Sequence, residues 1–128
     1  MTLHAALVIP DRELWTGEAR TVIAKTTEGD IGVLTGHSPV FGILTEGSVV
    51  EILTEDATVR AAVSGGFLSV ANDRVSILAR NAELGRDVDK AAARAELEEA
   101  SAAAPAGGDE PPGTRYARAR LRAAGEQA

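Results

Sequence analysis

Residues 26–39 have the sequence TTEGDIGVLTGHSP, in which two groups of turn-forming residues flank the short apolar run Ile31–Leu34. Glycine tolerates positive φ angles and proline presets a turn, so neither group continues a helix. The same pattern extends in both directions, with short runs rich in Val, Ile, Leu and Thr interrupted at spacings of about ten residues. The runs are Leu3–Ile9, Ala19–Thr26, Ile31–Leu34, Val40–Leu44, Ser48–Leu53, Thr58–Val63, Phe67–Val70 and Val75–Ala79. Many short, evenly spaced strands predict an all-β sandwich or barrel.

The composition changes at Arg86. Fourteen of the last 43 residues are Ala, the best helix former, and β-branched residues nearly vanish. This pattern predicts a helix from Arg86 to about Ala103, a Pro/Gly-rich linker over residues 105–113, and a second helix from Arg115 to about Ala124, capped by Thr114. We therefore predict a β-sandwich domain over residues 1–85 and a helix–loop–helix domain over residues 86–128.

Charge and composition exclude several function classes. The chain has no cysteine, which excludes disulfides and cysteine metal sites. Its net charge of −6 disfavours nucleic acid and anionic lipid. The N-terminus lacks the pattern of a signal peptide, and no apolar run approaches the ~20 residues that span a bilayer, so we expect a soluble protein.

The search for catalytic chemistry finds little. His4 and His37 are the only histidines, and no spacing of acids around them predicts a zinc site. A triad of Ser38 or Ser64 with His37 and Asp30 lacks a nucleophile elbow and is better explained as loop polarity. Gly65-Gly66 lacks the spacing of a phosphate-binding loop. The sequence predicts no catalytic residue, no metal and no cofactor.

Arginines concentrate near the C-terminus of an otherwise acidic chain. Arg115, Arg118 and Arg122 are three and four residues apart, so a helix places them on one side, which we call the arginine face. Arg120 points elsewhere. A solvated surface is the simplest interpretation, and a membrane-binding helix would need large apolar residues that this segment lacks. The segregation of charge favours docking on an acidic partner.

Four segments, in this order and spacing, resemble the epsilon subunit of bacterial F-type ATP synthase. Residues 8–19 (VIPDRELWTGEA) resemble the opening strand and turn of that family, and residues 26–39 resemble its G-(D/E)-(I/L)-G and G-H-x-P segments. Residues 63–70 (VSGGFLSV) resemble its G-G-F segment, and residues 75–83 resemble its last strand. The resemblance covers nearly the whole chain and implies a ten-stranded β-sandwich followed by a helical hairpin.

The resemblance also implies where the sandwich binds. In the family it lies at the foot of the central gamma stalk, on the ring of c subunits. The acid of the G-(D/E)-(I/L)-G segment contacts the polar loops of the ring, and the G-H-x-P turn lies at the interface of gamma and the ring. The implied interface residues here are Glu28, Gly29, Asp30, Gly36, His37 and Pro39.

For the hairpin, the resemblance implies regulation. In the family the hairpin folds on the sandwich or extends along gamma and blocks ATP hydrolysis, with basic residues against an acidic segment of a beta subunit. The matching residues are Arg115, Arg118, Arg120 and Arg122. Some members bind ATP through an I/L-D-x-x-R-A segment. Asp89 matches its acid, but Ala92 stands at the arginine's position, so we expect weak ATP binding or none.

We therefore interpret the chain as a non-catalytic rotor subunit of a proton-translocating F-type ATP synthase. Its expected partners are the gamma subunit, the c ring and the alpha and beta subunits, and its expected location is the cytoplasmic face of the cell membrane, as a peripheral protein. The alternative is a free-standing β-sandwich that binds a small ligand. Such sites are lined with aromatic residues, and only 3% of this chain is aromatic.

Overall fold

The computed structural model describes residues 2–103 and 112–125, in which ten strands form two five-stranded sheets and two α-helices follow them. The first five strands are β1 (Leu3–Ile9), β2 (Arg12–Ala19), β3 (Thr21–Thr26), β4 (Gly29–Val33) and β5 (Val40–Ile43). The next five are β6 (Ser48–Leu53), β7 (Thr58–Ser64), β8 (Phe67–Ala71), β9 (Arg74–Leu78) and β10 (Asn81–Leu84). A 3₁₀ turn (Gly85–Asp87) leads to helices α1 (Lys90–Ala103) and α2 (Pro112–Ala123).

The two sheets pack face to face. The first sheet has the strand order β2-β1-β9-β8-β5 and the second has the order β10-β7-β6-β3-β4. Strands β1 and β9 are parallel, whereas the other paired strands are antiparallel. Between the sheets lies one core of aliphatic side chains, built from Val, Leu, Ile and Ala at alternating strand positions between Leu3 and Leu84. The predicted fold class, a β-sandwich with a C-terminal helical region, is confirmed.

Strands β2 and β10 were absent from the strand pattern of the sequence. Both are edge strands, and each pairs with one neighbour only. Strand β2 carries charged residues on both faces and pairs with β1 across a bulge between Leu7 and Val8. Strand β10 has only four residues and pairs with β7. An edge strand buries less of each face, so its apolar alternation is weak.

The helix boundaries also differ from the expected ones. Residues 85–87 form a 3₁₀ turn, and α1 begins at Lys90 after Asp89, whose carboxylate accepts a hydrogen bond of 3.1 Å from the Ala92 amide. Helix α2 begins at Pro112 and not at Arg115, so Thr114 lies inside the helix instead of capping it. Proline is favoured in the first turn, where its missing N–H leaves no hydrogen bond unmade. The rest of the predicted linker, residues 105–111, lies outside the described residues.

Helix α2 packs against the outer face of the second sheet, over β6 and β7, and against α1. Tyr116, Ala119 and Ala123 contact Ala62 of β7 and Val49 of β6. On another side of the helix, Ala117 and Leu121 are buried as well. The helix is therefore covered on two sides, and the hairpin is docked on the sandwich. No helix within the described residues has the length and apolarity needed to cross a bilayer.

Candidate functional site

Four of the six large hydrophobic side chains that are exposed in the described part of the chain lie together on the outer face of the first sheet. Strand pairing places Ile43 of β5 opposite Phe67 of β8, Phe67 opposite Leu78 of β9, and Leu78 opposite Val8 of β1. Since neighbouring strands lie about 4.8 Å apart, this apolar row is about 14 Å wide. Phe41 extends it, with its ring centroid 5.0 Å from that of Phe67.

The apolar row is unusually exposed for side chains of this kind. Phe41 and Ile43 are 64% and 56% exposed, and Phe67 and Leu78 are each 37% exposed. They line an open groove of about 660 Å³ whose wall also includes Val8, Ile9, Pro10 and Arg80. Contiguous exposed apolar patches on soluble domains mark interaction surfaces. The groove is suited to bind an apolar protein surface.

The sequence contains a signal for this surface. The run Val40–Leu44 is apolar at four of its five positions with Gly42 between them, and a strand with both faces apolar must leave one face outside the core or cover it elsewhere. Here Leu44 is buried, whereas Phe41 and Ile43 point outward. Sequence analysis identified this run as a strand and did not recognise its exposed apolar face.

The β3–β4 turn and the first two residues of β4, together residues 27–30 and called the acidic turn here, lie at the same end of the sandwich as Ile43 of the apolar row. Backbone hydrogen bonds of 2.9 Å join Thr27 to Ile43 and Thr45 to Lys25, and so tie this turn to the end of β5. The Thr26 hydroxyl donates to the Gly29 carbonyl at 2.7 Å and accepts from the Glu28 amide at 3.2 Å, which closes the turn tightly. Glu28 and Asp30 are exposed. The backbone of Glu28 and Gly29 thus lies near the Ile43 end of the apolar row, whereas Asp30 lines a separate groove with Ile23 and Lys25 on the outer face of the second sheet.

The other predicted interface residues, Gly36, His37 and Pro39, lie at the opposite end of β4. The four residue steps of β4 separate the two segments by about 13 Å. The Gly36 amide donates a hydrogen bond of 2.7 Å to the Asp73 carboxylate in the β8–β9 turn. His37 Nδ1 lies 2.7 Å from the Ser38 carbonyl, which requires a proton on Nδ1. The structure therefore does not bring the two predicted segments together at one end of the sandwich.

The four arginines of α2 differ in their surroundings. Arg115 and Arg122 are exposed and Arg118 is half-buried. The side chain of Arg120 is only 13% exposed. Its Nε donates to Glu83 of β10 at 2.8 Å and its Nη1 donates to Glu96 of α1 at 2.7 Å. Sequence reasoning missed this pairing, because the partners lie 37 and 24 residues away.

Tyr116, one turn before Arg120, shares this environment. Its ring centroid lies 6.0 Å from the Arg120 guanidinium carbon. Burial raises the pKa of the Tyr116 hydroxyl, and the charges of Glu83 and Glu96 raise this pKa further, against an opposing effect of Arg120. For Arg120, burial alone would lower the pKa, but the hydrogen bond and charge of Glu83, together with Glu96, raise it.

The Asp89 carboxylate, the residue considered for ATP binding, caps the first turn of α1. In the described part of the chain, no three histidine or acidic side chains converge closely enough to hold a metal ion.

Comparison with known proteins identifies similar sequences over most of the chain. A family model described as "ATP synthase, Delta/Epsilon chain, beta-sandwich domain" matches residues 2–85. The ATP synthase epsilon chain of Thermobifida fusca is 54% identical over 127 residues, which cover 95% of this chain and 91% of that protein. The ATP synthase epsilon chain of Streptomyces coelicolor is 47% identical over 122 residues, which cover 95% of this chain and 94% of that protein.

Two solved assemblies contain chains of similar fold. A chain of the Euglena gracilis mitochondrial ATP synthase, in a structure of OSCP, F1 and the c-ring, superposes with a TM-score of 0.72 at 23% identity and covers 94% of this chain and 75% of its own length. A chain of the Tetrahymena thermophila mitochondrial ATP synthase, in a structure of the central stalk and c-ring, has a TM-score of 0.59 at 16% identity and covers 95% and 90%. At these identities the likeness concerns the fold.

Proposed function

This chain belongs to the family of ATP synthase epsilon chains, and we propose that it works as a non-catalytic subunit of the rotor stalk of a proton-translocating F-type ATP synthase. Its task there is to link the gamma subunit to the c ring. The single observation that carries the docking part of this proposal is the exposed apolar row beside the acidic turn. A free-standing ligand-binding sandwich is not favoured, since the relatives of this chain are ATP synthase subunits.

We assign the apolar row to the gamma subunit. The row is about 14 Å wide and spans four strands. The ring of Phe67, within the row, contacts the ring of Phe41. Aromatic side chains at the centre of an interface contribute most of its binding energy. A stalk subunit must resist shear as the rotor turns, and an apolar surface built on a paired sheet supplies a rigid contact.

We assign the acidic turn to the polar loops of the c ring. Glu28 and Asp30 are exposed, and the turn that carries them is joined by backbone hydrogen bonds to the end of β5, so one end of the sandwich offers an apolar surface on one face and an acidic turn at its margin. The segment of Gly36, His37 and Pro39, at the other end of β4, then meets a different part of gamma or the ring. This arrangement supports two separate contacts, not one.

The hairpin is proposed to restrain ATP hydrolysis. In the docked form Arg115 and Arg122 are exposed, and extension of the hairpin would carry the arginine face toward an acidic segment of a beta subunit. The proposed location is peripheral, at the cytoplasmic face of the membrane, where the complex and not the chain itself provides the membrane contact.

Charge insertion tests the gamma assignment. Leu78→Glu places a charge in the apolar row, and Ile23→Glu places the same charge on the outer face of the second sheet. The parent side chains are 37% and 38% exposed, so the two variants are matched. We expect Leu78→Glu, but not Ile23→Glu, to reduce co-purification of the full-length chain with gamma by at least about tenfold, the effect of 1.4 kcal/mol. Equal co-purification of both variants would exclude the apolar row as the gamma surface.

A further inference from the structure

The charge cluster of Arg120, Glu83 and Glu96 joins three elements that are separate in sequence. Arg120 comes from α2, Glu83 from the edge strand β10, and Glu96 from α1. The two N···O distances, 2.8 and 2.7 Å, are those of charge-assisted hydrogen bonds. The cluster is complete only while both helices rest on the sandwich.

Burial makes this cluster sensitive to the loss of one member. The Arg120 side chain is 13% exposed and that of Glu83 is 31% exposed, whereas Glu96 is 59% exposed. A half-buried guanidinium without its counter-charge loses more than the hydrogen bond, because its desolvation is then uncompensated. Glu83 is therefore the dominant partner, and Glu96 contributes less because water screens it.

Apart from the charge cluster, α2 packs on the sandwich mainly through small side chains. Ala119 and Ala123 pack on Ala62, with Val49 and Tyr116 at the margin, and alanine side chains bury little area. The hydroxyl of Thr114, 2% exposed, has no hydrogen-bond partner among the described residues, and this opposes docking. A helix of twelve residues is marginal without tertiary support.

We propose that Arg120, Glu83 and Glu96 form a latch that holds the helical hairpin on the sandwich, and that release of Arg120 from the latch is the step that frees α2. The latch gives the arginines of α2 two different functions. Arg115 and Arg122 are exposed in the docked hairpin, whereas Arg120 is available to a partner only after undocking. An acidic partner surface that binds Arg120 must therefore compete with Glu83 and Glu96.

The latch concerns the isolated chain, and only its consequence for hydrolysis rests on the proposed function. If the extended hairpin inhibits, weakening the latch without removing any arginine makes inhibition stronger. Glu83→Gln should then lower ATP hydrolysis by the assembled complex, whereas Ala substitutions on the arginine face should raise it. The opposite signs separate the latch from the contact with the catalytic head.

Amide hydrogen exchange on the full-length chain tests the latch directly. Undocking exposes α2 and melts it, so exchange at Ala119–Ala123 reports the docked fraction. We expect Glu83→Gln to speed this exchange at least about tenfold, the range for loss of a charged hydrogen bond, and Glu96→Gln to speed it less. Glu18→Gln, on β2 of the other sheet, removes the same charge and should leave α2 exchange unchanged. Exchange of the core strand β6, followed in the same samples, reports the fold of the sandwich.

A double-substitution cycle decides whether Arg120 mediates the effect. Arg120→Met keeps the apolar stem and removes the charge. In that background Glu83→Gln should no longer change α2 exchange, because the two residues act as one pair. Exchange in Glu83→Gln as slow as in the parent chain, or an effect of equal size in the Arg120→Met background, overturns the latch. Faster exchange without any change in hydrolysis would instead retain the latch and refute the inhibitory role of the hairpin.

Discussion

Gly85 allows the end of α2 to lie directly on the sandwich, and replacing it by Ala should undock the helix. A Cβ added at Gly85 would lie 2.0 Å from the Ala123 carbonyl oxygen and 2.6 Å from its carbonyl carbon. Ordinary contact begins at 3.4 Å, so the helix end must retreat by about 1.4 Å. Gly85 does not have a positive φ angle, so alanine introduces no backbone strain of its own.

The size of the effect follows from this overlap. Overpacking of a well-packed site costs about 1–3 kcal/mol, and each 1.4 kcal/mol changes an equilibrium about tenfold. A gap of about 0.5–1 Å elsewhere along the helix forfeits a quarter to a half of the dispersion energy of each contact across it, and this weakens the contacts of Ala119 and Ala123. We expect the docking equilibrium of Gly85→Ala to fall by roughly 5- to 150-fold, while the sandwich stays folded.

Tyr116 provides the measurement, because it is the only tyrosine in the chain. Burial is the largest cause of its raised pKa, so ultraviolet titration of the phenol reports docking. A raised pKa in the folded state stabilises docking below the ordinary tyrosine value of about 10 and ceases to do so as the pH rises through the folded pKa. In Gly85→Ala, the pKa of Tyr116 should therefore fall toward the ordinary tyrosine value. In the parent chain, the hairpin should loosen only when the pH rises above that ordinary value.

Gly32→Ala is the matched control. Gly32 also lacks a positive φ angle, and a Cβ there would meet nothing within 4 Å. This variant should titrate as the parent does and keep its helical circular dichroism. If Gly85→Ala keeps the parent tyrosine titration and the parent exchange rates at α2, then the helix end adjusts without undocking and the steric argument is wrong.

Four further predictions concern the interfaces and the domains. Asp30→Ala and Asp30→Arg should weaken association with the c ring or lower coupled synthesis and leave the isolated fold unchanged. Asp56→Ala, between β6 and β7 at the other end of the sheet, should affect neither the association nor the synthesis. Calorimetry should detect weak ATP binding or none, and a dissociation constant in the low micromolar range would refute this. Ala substitutions across the arginine face should raise hydrolysis by the complex and shrink its dependence on salt, since exposed ion pairs are screened over about 10 Å at 0.1 M; equal rates for variant and parent at every salt concentration would contradict an inhibitory contact. Removing residues 86–128 should leave a cooperatively melting β domain, because the main core lies within residues 3–84, and an unfolded product would disprove the domain boundary.

Local pattern was sufficient to predict the strands with a clear apolar face. Leu3–Ile9 and Ser48–Leu53 have the predicted bounds, since their alternate residues enter the core. Sequence reasoning failed where pairing with a neighbour decides the structure. Strand β2 contains five polar or charged residues or glycines among its eight positions, and its conformation depends on β1. Strand β10 is too short for its alternation to be recognised.

The candidate site was only partly predictable for the same reason. Asp30 was identified only through the resemblance of residues 26–39 to a family segment, and the structure places it as an exposed residue near the start of β4. The apolar row depends on how four strands are aligned with one another. The apolar runs of the sequence predict the strands but not these alignments. Helical spacing placed Arg120 off the arginine face, and the resemblance still included it in the contact with a beta subunit, but spacing within one helix carries no information about acids on β10 and α1.

Strand β5, which carries Phe41 and Ile43, is also an edge strand of its sheet. An exposed apolar edge strand is a template for pairing with other chains. Copies made in excess of their binding partners would therefore expose this edge strand and could pair with one another through it. Aggregation would then limit the amount of unassembled chain. The exposed edge strand therefore favours synthesis of this chain in step with a partner that covers the strand, for reasons of solubility and apart from any benefit to catalysis.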